Sequence, residues 1–293
     1  MLKGKSFSKI FFSTFAVAFC LLALMAGVVI LCVNSAEEKI LAEKKTDLSQ
    51  TEPFVPDEAD SIRFLAIFDS EYKDAHNYYV LVSYQPQKNI FAIAPIPWQI
   101  TETVGVKKRT LDDFYEQEST SNVLKAVSYA FNADVKKYVI LTSSQTSDLI
   151  DSIGGLDFNV EKDVCYGDDD FFVAVRAGNQ KLNGKMVTGL CENPENFKNA
   201  SGCELVSKFA GIIFEQFKSG ISPQNFEAVF SQILNISTTN LTYEDYVYRK
   251  DAFNYSAKNN INLTVVNPSG DFKVLSDLFT PNEKYIEEIK KYF

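Results

Sequence analysis

The chain contains few arginines and a single histidine. Its 293 residues include four arginines (Arg63, Arg109, Arg176 and Arg249) and a single histidine, His76. Arginine makes the bidentate contacts that hold phosphates, and histidine serves many acid/base sites. The 38 acidic residues outnumber the 29 basic ones, which gives a net charge of −9. An acidic chain is repelled by polyanions, so the composition argues against nucleic acid as a partner.

The apolar content is that of a folded protein. Hydrophobic residues make up 46% of the sequence and charged residues 23%. This composition excludes a wholly disordered chain, and the length is sufficient for one sizeable core or two small ones.

Charged residues are absent from one long segment near the N-terminus, residues 10–36. About 20 apolar residues in a helix cross the hydrocarbon core of a bilayer. The lysines Lys3, Lys5 and Lys9 precede the segment, and two glutamates follow it. The positive-inside rule therefore predicts a transmembrane helix over 10–36, with residues 1–9 cytoplasmic and the rest extracytoplasmic.

A cleaved signal peptide is the competing interpretation of this segment. Its apolar region is usually 7–15 residues long and ends in a small-x-small site. Here the apolar run is longer, and Asn34 occupies the −3 position before Ala36, so we predict an uncleaved, single-pass anchor in the cell membrane. Residues 37–60 are expected to form a stalk and linker, and residues 61–293 an extracytoplasmic domain.

Three cysteines lie in the predicted external domain. In an oxidising compartment, Cys191 and Cys203 would close a short loop as a disulfide. Cys165 leaves two other pairings open, with one thiol left over in each case. A zinc site is disfavoured because neither a CxxC motif nor a histidine pair accompanies these cysteines.

Three segments are apolar almost throughout, which is typical of strands covered on both faces: residues 64–68, 78–84 and 90–96. A short turn-rich segment separates the last two, which predicts a hairpin. Helical and strand patterns alternate further along, including a helix predicted to start at 146–148 and to end at Gly154-Gly155, and one predicted to start within 280–283. We therefore predict an α/β fold, a three-layer α/β/α sandwich with a central mixed β-sheet.

Several short segments, in order and spacing, resemble the LytR-CpsA-Psr family, whose domain is also called the cell envelope-related transcriptional attenuator domain. The strongest are DLIDSIGGL at 148–156 and GNQKLNGK at 178–185. Weaker ones are NYYVLVS at 77–83, PIPWQ at 95–99 and TLDDFY at 110–115. The resemblance runs from about Arg63 to Gly270.

This resemblance implies transfer of a glycopolymer from a polyprenyl pyrophosphate carrier to peptidoglycan or another envelope acceptor, with a divalent metal such as Mg²⁺. In the family, the lipid lies between sheet and helices, arginines clamp the pyrophosphate, and aspartates bind metal or act as bases. The matching pocket positions here are Asp69, Asn77, Trp98, Gln99 and Asp112. Asp69 and Asp112 are the candidate metal ligands, and Arg63, Arg109 and Arg176 are the candidate phosphate contacts.

The sequence departs from the family at its charged positions. Trp98 and Gln99 replace an arginine and an aspartate, Asn77 replaces another aspartate, and Thr110 replaces a lysine. Without those charges, Asp69 and Asp112 also fit a strand-end turn and a helix start, and Trp98 fits a cap on the core. His76 has no hydroxyl or thiol at motif spacing, so we predict no catalytic role for it.

These departures favour a membrane-anchored protein of cell wall biogenesis that is catalytically degenerate, a pseudoenzyme. It would bind a polyprenyl-linked glycan or peptidoglycan, or regulate an active family relative. A divergent but active glycopolymer phosphotransferase with rearranged site residues is the alternative, and a purely structural envelope protein is a third possibility.

Overall fold

The computed structural model describes residues 54–168, 172–198, 201–220, 223–273 and 278–293. The predicted transmembrane segment 10–36 and most of the predicted stalk lie outside these ranges. Within them, no helix combines the length and the apolar character needed to cross a bilayer. The assignment of residues 10–36 as an anchor stays a prediction.

A six-stranded mixed sheet forms the centre of the fold. Its strands are β1 (Ile62–Asp69), β2 (Tyr78–Gln85), β3 (Ile90–Ile96), β6 (Lys137–Thr142), β11 (Thr238–Thr239) and β12 (Asn262–Val265). Their spatial order is β11-β6-β1-β2-β3-β12. The β1–β6 and β3–β12 pairs are parallel and the other pairs are antiparallel. The predicted hairpin of β2 and β3 and the predicted central mixed sheet are thus confirmed.

Four small antiparallel pairs lie outside the central sheet. They are β4 (Thr101–Val104) with β5 (Lys107–Thr110), β7 (Leu156–Val160) with β10 (Gly178–Leu182), β8 (Val164–Gly167) with β9 (Phe172–Val175), and β13 (Gly270–Lys273) with β14 (Leu278–Pro281).

The described residues form eight α-helices: α1 (Leu111–Gln117), α2 (Thr120–Phe131), α3 (Ser143–Ser152), α4 (Gly184–Cys191), α5 (Ser201–Gly220), α6 (Pro223–Ile236), α7 (Tyr243–Lys258) and α8 (Glu283–Tyr292). A 3₁₀ turn, Pro194–Phe197, follows α4. With the central sheet, these helices make a mixed α/β fold, as predicted.

Side-chain caps determine where several helices begin. The predicted start of α3 at 146–148 is wrong, because Thr142 caps the helix. The Thr142 backbone N–H in turn donates to Gln145 Oε1 at 3.0 Å. This capping box satisfies two amides that the helix leaves unpaired. The start of α8 is confirmed within 280–283, where Asn282 accepts from the Tyr285 N–H at 2.9 Å.

Side chains on the two faces of the sheet belong to different apolar clusters. Leu65, Ile67 and Tyr79 lie in one cluster with residues of α1, α2 and α8. The neighbouring Tyr78 lies in the other, with residues of α3, α4 and α5. Successive strand residues point to opposite faces, so the sheet is covered on both, which explains its continuous apolar runs.

Candidate functional site

The site lies at one edge of the central sheet, where three strand ends meet. Strand β1 ends at Asp69, and β2 begins after Asn77 on the antiparallel neighbour. Strand β3 ends where Ile96 pairs with Tyr79, so Trp98 and Gln99 follow at the same edge. The Leu111 N–H donates to the Trp98 carbonyl at 3.1 Å, and this bond brings the start of α1 to the same edge.

Asp112 is the most highly constrained carboxylate of the site. The Tyr79 hydroxyl donates to its Oδ1 at 2.7 Å, and His76 Nδ1 lies 2.8 Å from its Oδ2. Asp112 is only 5% exposed and Tyr79 is fully buried. A buried carboxylate is stabilised when both of its oxygens have polar partners, so these two contacts allow Asp112 to occupy a buried position.

His76 is held by aromatic contacts as well as by Asp112. Its ring stacks on Trp98 with centroids 3.6 Å apart and planes 12° apart, and the Phe197 ring meets it edge-on at 5.4 Å. His76 Nδ1 faces the Asp112 carboxylate, so the carboxylate orients the ring. Sequence reasoning missed this residue, since its partner Asp112 lies 36 positions away and no local motif links them.

Asn77 and Gln99 are buried and satisfied within the protein. The Ser70 N–H donates to Asn77 Oδ1 at 3.0 Å, and Gln99 Nε2 donates to the Phe197 carbonyl at 3.0 Å. Both side chains therefore hold loops to this edge of the sheet.

A small cavity lies among these residues. It is lined by Asn77, Trp98, Gln99, Asn196 and Phe197, among others, and measures about 10 Å³. That volume suits a single water molecule, whereas small-molecule pockets measure about 300–1,000 Å³. The indole Nε1 of Trp98 is buried and has no partner among the described residues.

Other carboxylates lie near Asp112 at this edge. The Tyr115 hydroxyl donates to Asp69 Oδ2 at 3.0 Å. Burial raises the pKa of Asp69, the nearby Glu71 and Asp112 raise it further, and the Tyr115 hydrogen bond opposes them. Burial and the Asp112 charge also raise the pKa of Glu116. Negative charges thus disfavour one another here, as expected where cations are few.

The three arginines predicted to contact phosphate, Arg63, Arg109 and Arg176, do not pair with these carboxylates. Arg63 precedes Asp69 by six positions on the same strand, which is about 20 Å. Arg109 donates to Gln117 and lies 3.7 Å from Glu118, so it turns toward the other end of α1. Arg176 is exposed after β9.

The donor set does not fit the divalent cation that the family resemblance implies. Both Asp112 oxygens already have partners, which leaves Asp69 as the carboxylate with a freer oxygen. In the described part of the chain, no group of three or more His, Cys, Asp or Glu side chains is placed to hold a metal ion. Magnesium sites usually combine one or two carboxylates with waters and substrate phosphates, and Asp112, with both oxygens engaged by protein groups, is not free to be one of those carboxylates.

Cys191 and Cys203 are both buried free thiols, and the predicted disulfide between them is not formed. The Tyr78 side chain packs beside both: its hydroxyl donates to the Cys191 carbonyl at 2.7 Å, and a Cβ on Gly202 would lie 2.5 Å from that hydroxyl. Burial raises the pKa of Cys203 to about 12, and that of Cys191 is raised as well. Such thiols are unreactive at neutral pH.

The fold and this edge site define a class of mixed α/β domain with a polar cluster at the strand ends of its sheet. The family model described as LytR_cpsA_psr matches residues 69–292, well over half of the chain. The chain therefore belongs to the LytR-CpsA-Psr family. No curated protein sequence matches it significantly.

Solved structures share the fold at low sequence identity. A putative transcription regulator from Eubacterium siraeum is 20% identical, with a TM-score of 0.69 and coverage of 84% of this chain and 95% of that one. An enzyme of the same family from Actinomyces oris is 15% identical, with a TM-score of 0.60 and coverage of 82% and 92%. The family protein YwtF (TagT), solved with bound octaprenyl pyrophosphate lipid, is 14% identical, with a TM-score of 0.57 and coverage of 83% and 92%.

Proposed function

We propose that this chain is a membrane-anchored protein of the bacterial cell envelope that keeps the fold of glycopolymer transferases and has lost phosphoryl transfer. The observation that carries the proposal is the site's charge: carboxylates gather around Asp112, and the arginines lie elsewhere. In this proposal the protein acts by binding an envelope glycan or by regulating an active relative.

The electrostatics of phosphoryl transfer support the loss of catalysis. Transfer depends on positioning and on neutralising the phosphate charges with arginine, lysine or metal. A pyrophosphate brought to Asp69, Asp112 and Glu116 would meet like charge and a pair of oxygens already engaged by Tyr79 and His76. The acidic edge therefore opposes the substrate that the family fold is expected to receive.

The ligand class and location rest on the family. One relative of the same fold was solved with a polyprenyl pyrophosphate lipid, which supports a polyprenyl-linked glycan as partner. We place the domain outside the cell membrane, anchored by residues 10–36, in a three-layer α/β/α arrangement next to peptidoglycan. The 10 Å³ cavity beside Trp98 implies that an apolar chain enters only if neighbouring segments move.

The experiment is a transfer assay on the full chain in detergent micelles. It combines a polyprenyl pyrophosphate-linked glycan donor, a peptidoglycan acceptor and Mg²⁺, with an active family enzyme as the positive control. We expect no product above the protein-free background. Metal-dependent turnover that disappears in Asp69→Ala or Asp112→Ala would refute the proposal.

A second candidate, a divergent transferase, is favoured by one observation. A histidine oriented by a buried carboxylate is the arrangement of a general base, and His76 with Asp112 has it. This candidate predicts turnover that falls at least about 100-fold in His76→Gln while the fold is retained. The same assay therefore separates the two functions.

A further inference from the structure

The loop between β1 and β2, residues 70–77, carries His76 and is here called the strap. Internal hydrogen bonds shape it: the Ser70 hydroxyl donates to the His76 carbonyl at 2.6 Å, and the Ala75 N–H donates to the Tyr72 carbonyl at 3.0 Å. Most of its residues are exposed or half-buried. Segments with few buried apolar contacts are those that open locally at low cost.

The buried side chain of Glu192 accepts hydrogen bonds from the strap. This residue directly follows α4 and is only 2% exposed. Its Oε1 accepts from the Glu71 N–H at 2.8 Å and from the Ser143 hydroxyl, and the Tyr72 N–H also bonds the carboxylate. Burial raises the pKa of Glu192, and these three donors oppose that effect. A buried acceptor with backbone donors makes stronger hydrogen bonds than an exposed one.

A second contact joins the strap to the first turn of α3. The Ser144 N–H donates to Glu71 Oε2 at 3.1 Å, and the Ser144 hydroxyl lies 3.3 Å from Oε1. The outer contact, Lys73 with Asp168 at 2.6 Å, is between exposed side chains, and surface ion pairs stabilise little. Glu192 is therefore a buried attachment of the strap, in addition to the contact of His76 with Asp112, and the Glu71 N–H is its donor on the strap itself.

We propose that Glu192 is a positioning residue that holds the strap closed, so that His76 stacks on Trp98, and that loss of this hold lets the strap open and uncovers Trp98. The inference goes beyond the proposed function and requires no ligand or turnover. Opening would remove the His76 ring from one face of Trp98 and give access to the cavity beside it. Any ligand that enters this edge of the sheet would first displace the strap.

Trp98 is the single tryptophan of the chain, so its fluorescence reports on this site alone. We would measure acrylamide quenching of the full chain in detergent micelles. In Glu192→Ala, the strap loses its buried acceptor, so we expect the quenching constant to rise about twofold or more. Glu192→Gln keeps a carbonyl oxygen for the Glu71 N–H and should return the constant close to that of the unsubstituted protein.

The matched control is Glu195→Ala, three positions away. Glu195 is exposed and pairs with Lys198 on the surface, so we expect no change in quenching. An unchanged constant in a folded Glu192→Ala variant, or an equal rise in Glu195→Ala, would overturn the proposal. A glutamine variant that behaves like the alanine variant would overturn it too, because the acceptor oxygen would then not be what positions the strap.

A less invasive variant covers the case in which Glu192→Ala does not fold. Glu71→Ala removes the exposed contacts with Ser144 and leaves the Glu71 N–H to Glu192 in place. Because Glu192 still holds the strap in this variant, we expect a quenching constant close to that of the unsubstituted protein, with an unchanged far-UV circular dichroism spectrum. A rise of about twofold or more would contradict the proposal, because the strap would then open while Glu192 still holds it.

Discussion

At the scale of single residues, the site is built around one buried carboxylate. Asp112 receives the Tyr79 hydroxyl from the sheet and faces the His76 ring of the strap, so two parts of the sequence more than 30 positions apart meet at its two oxygens. Because Tyr79 is fully buried and water cannot easily replace its hydroxyl, each oxygen depends on its own donor.

Tyr79→Phe tests this dependence directly. The substitution removes one donor to a buried carboxylate, and we expect it to lower the free energy of unfolding by about 1–3 kcal/mol. Urea denaturation of the full chain at pH 7 measures the change. Tyr129→Phe is the control: Tyr129 is 60% exposed, so its loss should stay within about 0.5 kcal/mol. Equal effects for the two tyrosines would contradict this account of Asp112.

Asp69 gives a prediction about pH. Burial, with the nearby Glu71 and Asp112, raises its pKa in the folded state above 3.8, its ordinary value. The folded state therefore binds more protons than the unfolded state between those two values, and the contribution of Asp69 to stability falls as pH rises through that window. In Asp69→Asn this loss disappears, so the variant should gain stability relative to the unsubstituted protein as pH rises above the ordinary pKa of 3.8.

Glu118, a carboxylate whose pKa shifts in the opposite direction, serves as the comparison for Asp69. The Lys107 hydrogen bond lowers the pKa of Glu118, so its contribution is present above the unfolded value and is lost as pH falls through the folded one. Denaturation midpoints measured across the pH series should therefore diverge from those of the unsubstituted protein in opposite directions for Asp69→Asn and Glu118→Gln. Parallel curves would rule out the assigned shifts.

Some of these residues can be identified from the sequence, and others cannot, for a physical reason. Asp69, Asn77 and Asp112 lie near strand ends or a helix start, and a resemblance in local motifs identified them. The role of Gln99 depends on the Phe197 carbonyl, 98 positions away, and the role of His76 on Asp112. Such contacts are made by the tertiary fold, so local patterns do not contain them.

At the scale of elements, the central strands were predictable and some helix starts were not. Continuous apolar runs identified β1, β2 and β3 because the sheet is buried on both faces. The start of α3 was missed because Thr142 is both the last residue of β6 and the cap of the helix. One residue with two roles leaves no polar linker for a sequence pattern to reveal.

The turn from α3 into β7 yields a prediction from two adjacent glycines. Gly154 and Gly155 have φ of +87° and +78°, but a Cβ on Gly155 would lie 2.5 Å from the Leu182 carbonyl oxygen, whereas a Cβ on Gly154 meets nothing within 4 Å. Gly154→Ala should cost about 1–2 kcal/mol from backbone strain. Gly155→Ala should cost about 1–3 kcal/mol more, because β10 must shift.

The measurement for this pair is the free energy of unfolding of each variant under the same conditions. The two glycines share a turn and a backbone conformation, so each is the control for the other. If Gly154→Ala proved the more destabilising, close packing of the turn against β10 would not be the reason for glycine at 155.

At the scale of the whole molecule, family membership accounts for the fold, whereas the acidic charge bears on which ligands the site can bind. The family match covers residues 69–292, so the fold extends through α8. The chain carries a net charge of −9, and its arginines do not contact the carboxylates of the site. The few arginines of the chain therefore lie away from Asp69 and Asp112, while the core that defines the fold is retained.

The last helix should be as necessary to that core as the central sheet. Tyr285, Ile289 and Phe293 are at most 5% exposed and belong to the cluster that includes β1 and β2, and the Tyr285 hydroxyl donates to the Pro95 carbonyl at 2.8 Å. Burying three such side chains contributes about 5–8 kcal/mol. A domain is typically stable by only about 5–15 kcal/mol, so deletion of residues 283–293 should leave it largely unfolded.

Circular dichroism and limited proteolysis measure the loss of folded structure. The double substitution Lys290→Ala with Lys291→Ala, on the exposed side of α8, is the control and should leave both measurements unchanged. A truncated chain that melts cooperatively near the temperature of the full chain would show that α8 is dispensable.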